Sequence, residues 1–179
     1  TSSGPAEGKS TVSMNIAVAM AQTEKTVLLI DSDLRKPALN KAFNIGSSKG
    51  LANILVEGAE YIDVVYKVSK INGLHVIGSG PIPPNPAELL GSNKMKLFIE
   101  SMAEKYDMVI LDSPPIGLVT DSAILSTIVD GTILVSTVGE TDINATKRAK
   151  DLLDKVNTNI LGVVLNKVPI KDSGYYKYY

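Results

Sequence analysis

The sequence predicts an α/β fold in which a mainly parallel β-sheet is flanked by helices. Short apolar runs alternate with amphipathic stretches along the chain, as expected where helices connect parallel strands. Two of the apolar runs, 27–30 and 108–111, end directly in an aspartate, at Asp31 and Asp112. Both runs are apolar throughout, so we expect them to form buried strands.

The remaining elements follow the same alternation. We predict further strands at 74–77, 132–136 and 160–165, and helices at 10–22, 51–55, 62–66, 92–105, 122–129 and 144–156. The segment 78–86 is rich in proline, which lacks the backbone donor of helices and strands, so we expect a loop there. The pattern ends after Lys167. We therefore expect one domain over 1–167 and a flexible tail over 168–179.

The composition excludes several classes of site. The 179 residues carry a net charge of −1, so no nucleic-acid surface is indicated. The chain has no cysteine and one histidine, His75, which excludes disulfides, thiol-ligated metals and histidine-based catalytic centres. The lone histidine is expected to be a half-exposed strand residue. No apolar run is long enough to span a bilayer, so we expect a cytoplasmic protein that a partner brings to the membrane.

The run from Ser3 to Thr11 resembles a phosphate-binding loop followed by a helix. Gly8 allows a tight turn in which backbone N–H groups point at phosphate oxygens, and the helix dipole favours an anion at the same place. Lys9 can reach the β- and γ-phosphates, and the Ser10 hydroxyl can ligate Mg²⁺. The predicted nucleotide-binding residues are Gly4, Pro5, Ala6, Glu7, Gly8, Lys9, Ser10 and Thr11.

This loop departs from the usual pattern in one position, because Ser3 stands where glycine is usual. The alternative interpretation is an ordinary Gly-Pro turn before a helix. A phosphate loop normally follows a central strand of the sheet, and here the chain starts at Thr1. We therefore expect a P-loop NTPase-like fold that lacks its N-terminal strand.

Three aspartates follow the two buried strands. Asp31 and Asp33 lie at the end of the first run, and Asp112 ends the second. Ligands of open α/β sheets bind at the carboxyl ends of the strands, where the phosphate loop also opens. Carboxylates near phosphates suit Mg²⁺, and phosphoryl transfer needs a group that orients the attacking hydroxyl or accepts its proton. The alternative role for these aspartates is to cap a helix or a turn.

Taken together, these motifs resemble those of the cytoplasmic bacterial tyrosine kinases. The resemblance rests on the phosphate loop, the Asp-x-Asp-x-Arg pattern of 31–35 and the Leu-Asp-Ser-Pro-Pro of 111–115. The proline-rich 81–89, the Leu-Asn-Lys of 165–167 and the tyrosine-ended tail extend it over nearly the whole chain. More closely, the chain resembles the separate kinase subunit of Gram-positive capsule and exopolysaccharide systems.

The resemblance implies an autokinase that depends on ATP and Mg²⁺. It implies that Asp31 is the base toward the incoming tyrosine and that Asp33 and Asp112 hold the metal with Ser10. Arg35 matches an arginine of the family motif, and Asn166 is expected to approach the adenine.

The same resemblance implies two kinds of partner. The activator is the cytoplasmic end of a membrane protein, and further copies of the kinase assemble into a ring. The family's N-terminal Glu/Arg helix motif, which builds the ring, is absent before Thr1. We therefore expect a homo-oligomer only for a full-length protein.

The chain ends in a cluster of four of its seven tyrosines. Gly174 and Ser173 precede the cluster and confer flexibility, so the tail can reach the active site of a neighbouring subunit. The expected phosphorylation sites are Tyr175, Tyr176, Tyr178 and Tyr179. The alternative is an aromatic terminus that packs on the surface or on a sheet edge.

Two other functions are compatible with the fold. Partitioning and division-site ATPases share the strand-end aspartates, but they carry a second lysine early in the loop, and 2–7 contains none. A nucleotide-dependent interaction module without transferase activity is the other alternative. The sequence favours the kinase because it combines the tandem aspartates, the following arginine and the tyrosine cluster.

Overall fold

The computed structural model describes residues 1–45 and 49–169, which form an α/β fold. Its strands are β1 (Val27–Asp31), β2 (Val65–Lys67), β3 (Leu74–Ile77), β4 (Met108–Asp112), β5 (Thr132–Thr137) and β6 (Ile160–Asn166). A four-stranded sheet has the order β2-β3-β1-β4, and β5 and β6 form a parallel pair. In the larger sheet β2 runs antiparallel to β3, and the other pairs are parallel. The mainly parallel sheet expected from the sequence is confirmed.

Seven helices accompany these strands in the described part of the chain. They are α1 (Lys9–Ala21), α2 (Leu39–Ala42), α3 (Leu51–Glu57), α4 (Pro86–Leu90), α5 (Asn93–Ala103), α6 (Asp121–Leu125) and α7 (Ile143–Asp154). Side-chain caps fix the start of two of them, because Ser92 Oγ accepts from Met95 N–H and Asp142 Oδ1 accepts from Ala145 N–H. In the part of the chain that the structure describes, no helix is both long and apolar enough to cross a bilayer.

Two of the predicted helices were wrong in type or length. The segment 62–66 is a short 3₁₀ turn, Tyr61–Asp63, followed by the edge strand β2, because Val65 and Tyr66 favour extended backbone. The helix predicted over 122–129 ends at Leu125. The hydroxyls of the next two residues, Ser126 and Thr127, donate to nearby backbone carbonyls and so compete with the helical pattern.

The short helices α2 and α4 were not predicted. Helix α4 begins inside the expected proline-rich loop, with Pro86 in its first turn. Proline is accepted there because the first N–H groups of a helix have no partner within the helix.

Strand β1 is the centre of the core, because helices cover both of its faces. Val27 and Leu29 pack with Ala17 of α1 in one apolar cluster. Leu28 and Ile30 belong to a second cluster with side chains of α5, which include Met95, Phe98 and Met102. This two-sided burial explains the uninterrupted apolar run in the sequence. It also carries the end of β1, where Asp31 lies, into the protein interior.

The segment before the phosphate loop joins the two sheets. Val135 N–H of β5 donates to Thr1 O (2.8 Å), and Ile116 N–H, from the loop after β4, donates to Ser2 O (2.9 Å). A groove of about 600 Å³ lies beside this junction, with Ile110 of β4 on one side and Ile133 of β5 on the other. Lys9 and Asp112 line the groove as well. The phosphate loop therefore begins where the two sheets meet.

The loop after β3 is held close to the start of α3, and Gly50 makes this approach possible. Leu51 N–H donates to Gly78 O (2.8 Å), and a methyl group on Gly50 would lie 2.2 Å from the same oxygen. We expect Gly50→Ala to lower the free energy of unfolding by about 1–3 kcal/mol, because the neighbouring atoms are backbone and cannot move aside. Urea unfolding measures the change. Gly162→Ala is the matched control, since nothing lies within 4 Å of that position, and an equal loss in both variants would contradict the expectation.

Candidate active site

The phosphate loop is shaped by two residues with positive φ. Gly8 has φ of 88° and Ala6 has φ of 60°, both in the left-handed region. Alternation of left- and right-handed residues turns successive N–H groups toward one concave side, which is how backbone binds anions. Gly8 also precedes α1, whose N-terminus has no side-chain cap and no acidic residue in its first turn among the described residues. The open helix N-terminus therefore suits a phosphate.

The departure from the usual glycine at position 3 has a structural reason. Ser3 Oγ donates to Glu7 Oε1 (2.6 Å), and Gly4 N–H donates to the same oxygen (2.8 Å). These bonds tie the two ends of the loop together around a buried carboxylate. This role of Ser3 and Glu7 was not predicted from the sequence, because it depends on the path of the loop.

Asn166 lies against the loop from the end of β6. Its Nδ2 donates to Glu7 O (2.9 Å), and Thr137 Oγ1 of β5 donates to the same carbonyl (3.4 Å). A methyl group on Gly8 would come within 2.0 Å of Asn166 Nδ2. The contact that the structure gives to Asn166 is thus with the loop backbone. Its approach to an adenine stays a prediction.

The strand-end aspartates lie side by side at one edge of the sheet. Asp31 and Asp112 are paired residues of the neighbouring parallel strands β1 and β4, so their side chains leave the sheet on the same face. Both are buried, and so is Asp33 in the turn that follows β1. Asp33 Oδ1 accepts from Lys36 N–H (2.9 Å) and Arg35 N–H (3.3 Å), which fixes the direction of this carboxylate.

The two oxygens of Asp31 have different environments. Oδ2 accepts from the N–H groups of Ala38 and Leu39, each at 2.9 Å, whereas Oδ1 is buried without a hydrogen-bond partner. Burial raises the pKa of Asp31 to about 6, and the N–H bond from Leu39 opposes this shift. The nearby charge of Asp112 raises the pKa further. Asp31 is therefore a carboxylate at neutral pH with one oxygen available to accept a proton.

Asp112 faces the start of α1. The Ser10 hydroxyl lies near its carboxylate and lowers the pKa of Asp112, and Asp112 Oδ2 is a buried oxygen without a partner. Burial raises the pKa of Asp112, the charge of Lys9 lowers it, and the charge of Asp33 raises it. The structure therefore brings Lys9, Ser10 and the aspartates into one electrostatic cluster.

The donor set of this cluster fits a magnesium ion that is shared with a nucleotide. Mg²⁺ prefers oxygen ligands, keeps several waters and is usually held by one or two protein groups and by phosphates. Ser10 and Asp112 supply such oxygens, one of them a buried carboxylate oxygen without a partner. Among the described residues, no group of three or more acidic or histidine side chains is placed to hold a metal alone. Phosphate oxygens and waters would complete the coordination of such an ion.

The Arg35 guanidinium group pairs with a carboxylate of α6. Its Nε and Nη2 donate to Asp121 Oδ2 (2.9 Å) and Oδ1 (3.0 Å), and Asp121 is fully buried. Asp121 was not predicted to be a site residue. The pairing joins residues 86 positions apart, so no local pattern could indicate it. The predicted phosphorylation sites, Tyr175, Tyr176, Tyr178 and Tyr179, lie outside the described residues.

The chain is similar to known P-loop proteins and tyrosine-protein kinases over most of its length. The family model described as "ParA: NUBPL iron-transfer P-loop NTPase" matches residues 3–173. The chain is 42% identical over 179 residues to the tyrosine-protein kinase YwqD of Bacillus subtilis, covering 100% of this chain and 75% of YwqD. It is 38% identical over 163 residues to the tyrosine-protein kinase CpsD of Streptococcus agalactiae, covering 90% of this chain and 71% of CpsD.

A solved structure agrees with these relatives. The crystal structure of the chimerical protein CapA2B2 superposes with a TM-score of 0.91 at 36% sequence identity. The match covers 94% of this chain and 74% of the CapA2B2 chain. The P-loop NTPase fold expected from the sequence is confirmed, and with it nucleotide binding with Mg²⁺ as the general property of such proteins.

Proposed function

Since this chain belongs to the bacterial tyrosine-kinase family, within the ParA-type P-loop NTPases, we propose that it transfers the γ-phosphoryl group of ATP to tyrosines of its own C-terminal tail. The proposed acceptors are Tyr175, Tyr176, Tyr178 and Tyr179. By similarity to its relatives, the chain controls capsular or exopolysaccharide synthesis.

The observation that carries the proposal is the asymmetric environment of Asp31. One oxygen is held by two backbone N–H groups, so the carboxylate cannot rotate freely, and the other is buried without a partner. A carboxyl group with a pKa of about 6 is mostly ionised at neutral pH and can accept a proton from a tyrosine hydroxyl. The phosphate loop and Asp112 lie beside it, where the triphosphate would bind.

In the proposed reaction the tyrosine oxygen attacks the γ-phosphorus of ATP. The bond from that phosphorus to the bridging oxygen breaks, and ADP leaves with both electrons of the bond. Asp31 Oδ1 accepts the phenolic proton, while Lys9 and the N–H groups of the loop hold the phosphates. Ser10, Asp33 and Asp112 would hold Mg²⁺, which neutralises charge on the phosphates when it is bound.

The tail and the partners complete the proposal. We assign residues 1–167 to the kinase domain and 168–179 to a substrate tail that enters the site of a neighbouring copy. A membrane protein's cytoplasmic segment would activate the enzyme and bring it to the inner face of the membrane. Each phosphotyrosine adds about −1.5 to −2 charges, so a modified tail is repelled from the acidic site. This repulsion supplies an on/off cycle for the assembly.

The proposal is tested by mass spectrometry of the tail after incubation with ATP and Mg²⁺, with and without the activating segment. We expect phosphate on the tail tyrosines and a loss of at least about 100-fold in labelling for Lys9→Met, because the lysine contacts developing charge on the phosphates. The circular dichroism spectrum of Lys9→Met controls for folding. Mixing this variant with a chain whose tail tyrosines are phenylalanine tests transfer between subunits, since only the disabled chain then carries acceptors.

Other outcomes distinguish the alternative functions. Release of free phosphate without any phosphotyrosine would identify a partitioning-type ATPase. ATP binding without either product, even with the activating segment present, would identify a nucleotide-dependent interaction module. Labelling of Lys9→Met at the wild-type rate would contradict the assignment of the phosphate loop.

A further inference from the structure

The first residues of α6 contact both loops that carry the proposed magnesium ligands. Asp121 is the first residue of the helix and is fully buried. A buried carboxylate is costly unless it is paired, and Asp121 is paired with both Nε and Nη2 of Arg35. This planar, two-pronged pairing fixes the position and the direction of the guanidinium group.

Arg35 belongs to the same turn as Asp33. The Asp33 carboxylate accepts from the backbone N–H groups of Arg35 and Lys36, so the backbone of this turn sets the direction of the Asp33 side chain. A displacement of Arg35 therefore moves the groups that orient Asp33. Asp121 is thus connected to Asp33 through Arg35.

The next residue of α6 holds the other loop. The buried Ser122 hydroxyl donates to Pro114 O, two residues beyond Asp112. Asp121 is therefore bonded to the loop after β1, and Ser122 is bonded to the loop after β4. Helix α6 also packs against α4, which helps to hold α6 in place.

We propose that Asp121 and Ser122 are positioning residues that set the separation of the Asp33 and Asp112 carboxylates and thereby the Mg²⁺ affinity of the nucleotide-bound site. This inference rests on the proposed function, because it takes Asp33 and Asp112 as the metal-holding groups. Groups that orient metal ligands from outside the coordination sphere typically change metal affinity 10–100-fold when they are lost. Arg35, which matches an arginine of the family motif, is the residue that connects Asp121 to the turn containing Asp33.

The test measures Mg²⁺ dependence in two ways in the full protein. The first readout is the Mg²⁺ concentration for half-maximal binding of the fluorescent nucleotide mant-ATP, and the second is the Mg²⁺ concentration for half-maximal tail labelling. We expect Asp121→Asn to raise both concentrations at least about 10-fold, with most of the labelling rate restored at saturating Mg²⁺. Arg35→Lys should raise both concentrations less, because an ammonium group keeps the charge but cannot make the paired hydrogen bonds of the guanidinium group.

Matched variants separate positioning from folding. Asp154→Asn removes an exposed ion pair with Lys150 on α7 and should leave the Mg²⁺ dependence unchanged. If Asp121→Asn does not fold, the same two Mg²⁺ concentrations are measured for Ser122→Ala and Arg35→Lys. The double variant Arg35→Lys/Asp121→Asn should show no further rise beyond the larger single effect, since both act through one contact.

The proposal is overturned if these variants keep the wild-type Mg²⁺ requirement while their labelling rate or unfolding midpoint falls, because α6 would then serve the fold alone. Failure of the proposed function gives a different result. In that case wild-type protein labels no tyrosine, yet Mg²⁺-dependent mant-ATP binding still reports on the contribution of Asp121.

Discussion

Asp31→Asn is expected to reduce tail phosphorylation strongly and at the same time to stabilise the fold at neutral pH. Asparagine keeps an oxygen that can accept from Ala38 and Leu39, so the local structure is preserved. It cannot accept the tyrosine proton, and loss of a general base typically costs about 10²–10⁴-fold in rate. Phosphotyrosine formation with ATP and Mg²⁺ measures this loss.

Asp31→Asn should raise the free energy of unfolding although it lowers the activity, because the ionised Asp31 carboxylate is buried. Its pKa of about 6 in the fold lies above the ordinary value of 3.8, so the folded state binds the proton more tightly than the unfolded chain. Stability that is present below pH 3.8 is therefore lost as the pH rises through 6. The pKa shift corresponds to a loss of at most about 3 kcal/mol in the free energy of unfolding at pH 7. We expect Asp31→Asn to restore about 1–3 kcal/mol of this free energy.

Urea unfolding without Mg²⁺ or nucleotide, at pH 5 and pH 8, measures this effect. The advantage of the asparagine variant should be larger at pH 8 than at pH 5. For the wild-type enzyme, the rate of tail labelling at limiting substrate should decrease when the pH is lowered below about 6, because Asp31 then becomes protonated. A variant that still labels its tail at the wild-type rate would show that Asp31 is not the base.

Gly8→Ala is expected to disable nucleotide binding. The position has φ of 88°, which costs roughly 1–2 kcal/mol for a residue with a Cβ atom. The added methyl group would also lie 2.0 Å from Asn166 Nδ2 and would break its bond to Glu7 O. We expect at least about a 10-fold loss in mant-ATP affinity, since about 1.4 kcal/mol is a factor of ten.

A second substitution separates the two causes. Gly8→Ala/Asn166→Ala removes the clash and keeps the backbone strain, so it should bind mant-ATP more tightly than Gly8→Ala alone. Asn166→Ala by itself measures the cost of losing this side chain, both its contact with Glu7 and its predicted approach to the adenine. Wild-type affinity in the Gly8→Ala protein would argue against a phosphate cradle built by this turn.

The sequence was informative where burial and local chemistry coincide. Strand β1 is covered on both faces, so its apolar run indicated a strand and located Asp31 at the strand's end. The Gly-Lys-Ser triplet predicted the loop because its residue types are required by local geometry. Membership of the tyrosine-kinase family confirms the enzyme class that these motifs together suggested.

What the sequence did not reveal depends on packing or on long separations. Residues 62–66 are too few for their apolar spacing to distinguish a helical turn from an edge strand. The pairing of Arg35 with Asp121 joins the loop after β1 to the first residue of α6, and the two residues are 86 positions apart in the sequence. The unequal oxygens of Asp31 likewise depend on where the chain runs seven and eight residues later.

The bond between Ser3 and Glu7 makes two positions of the phosphate loop interdependent. Restoring the usual glycine at position 3 would remove a donor from a carboxylate that is already buried with one unpaired oxygen. Substitutions at the two positions are therefore expected to covary across relatives. An engineer who redesigns this loop has to exchange both residues as a unit.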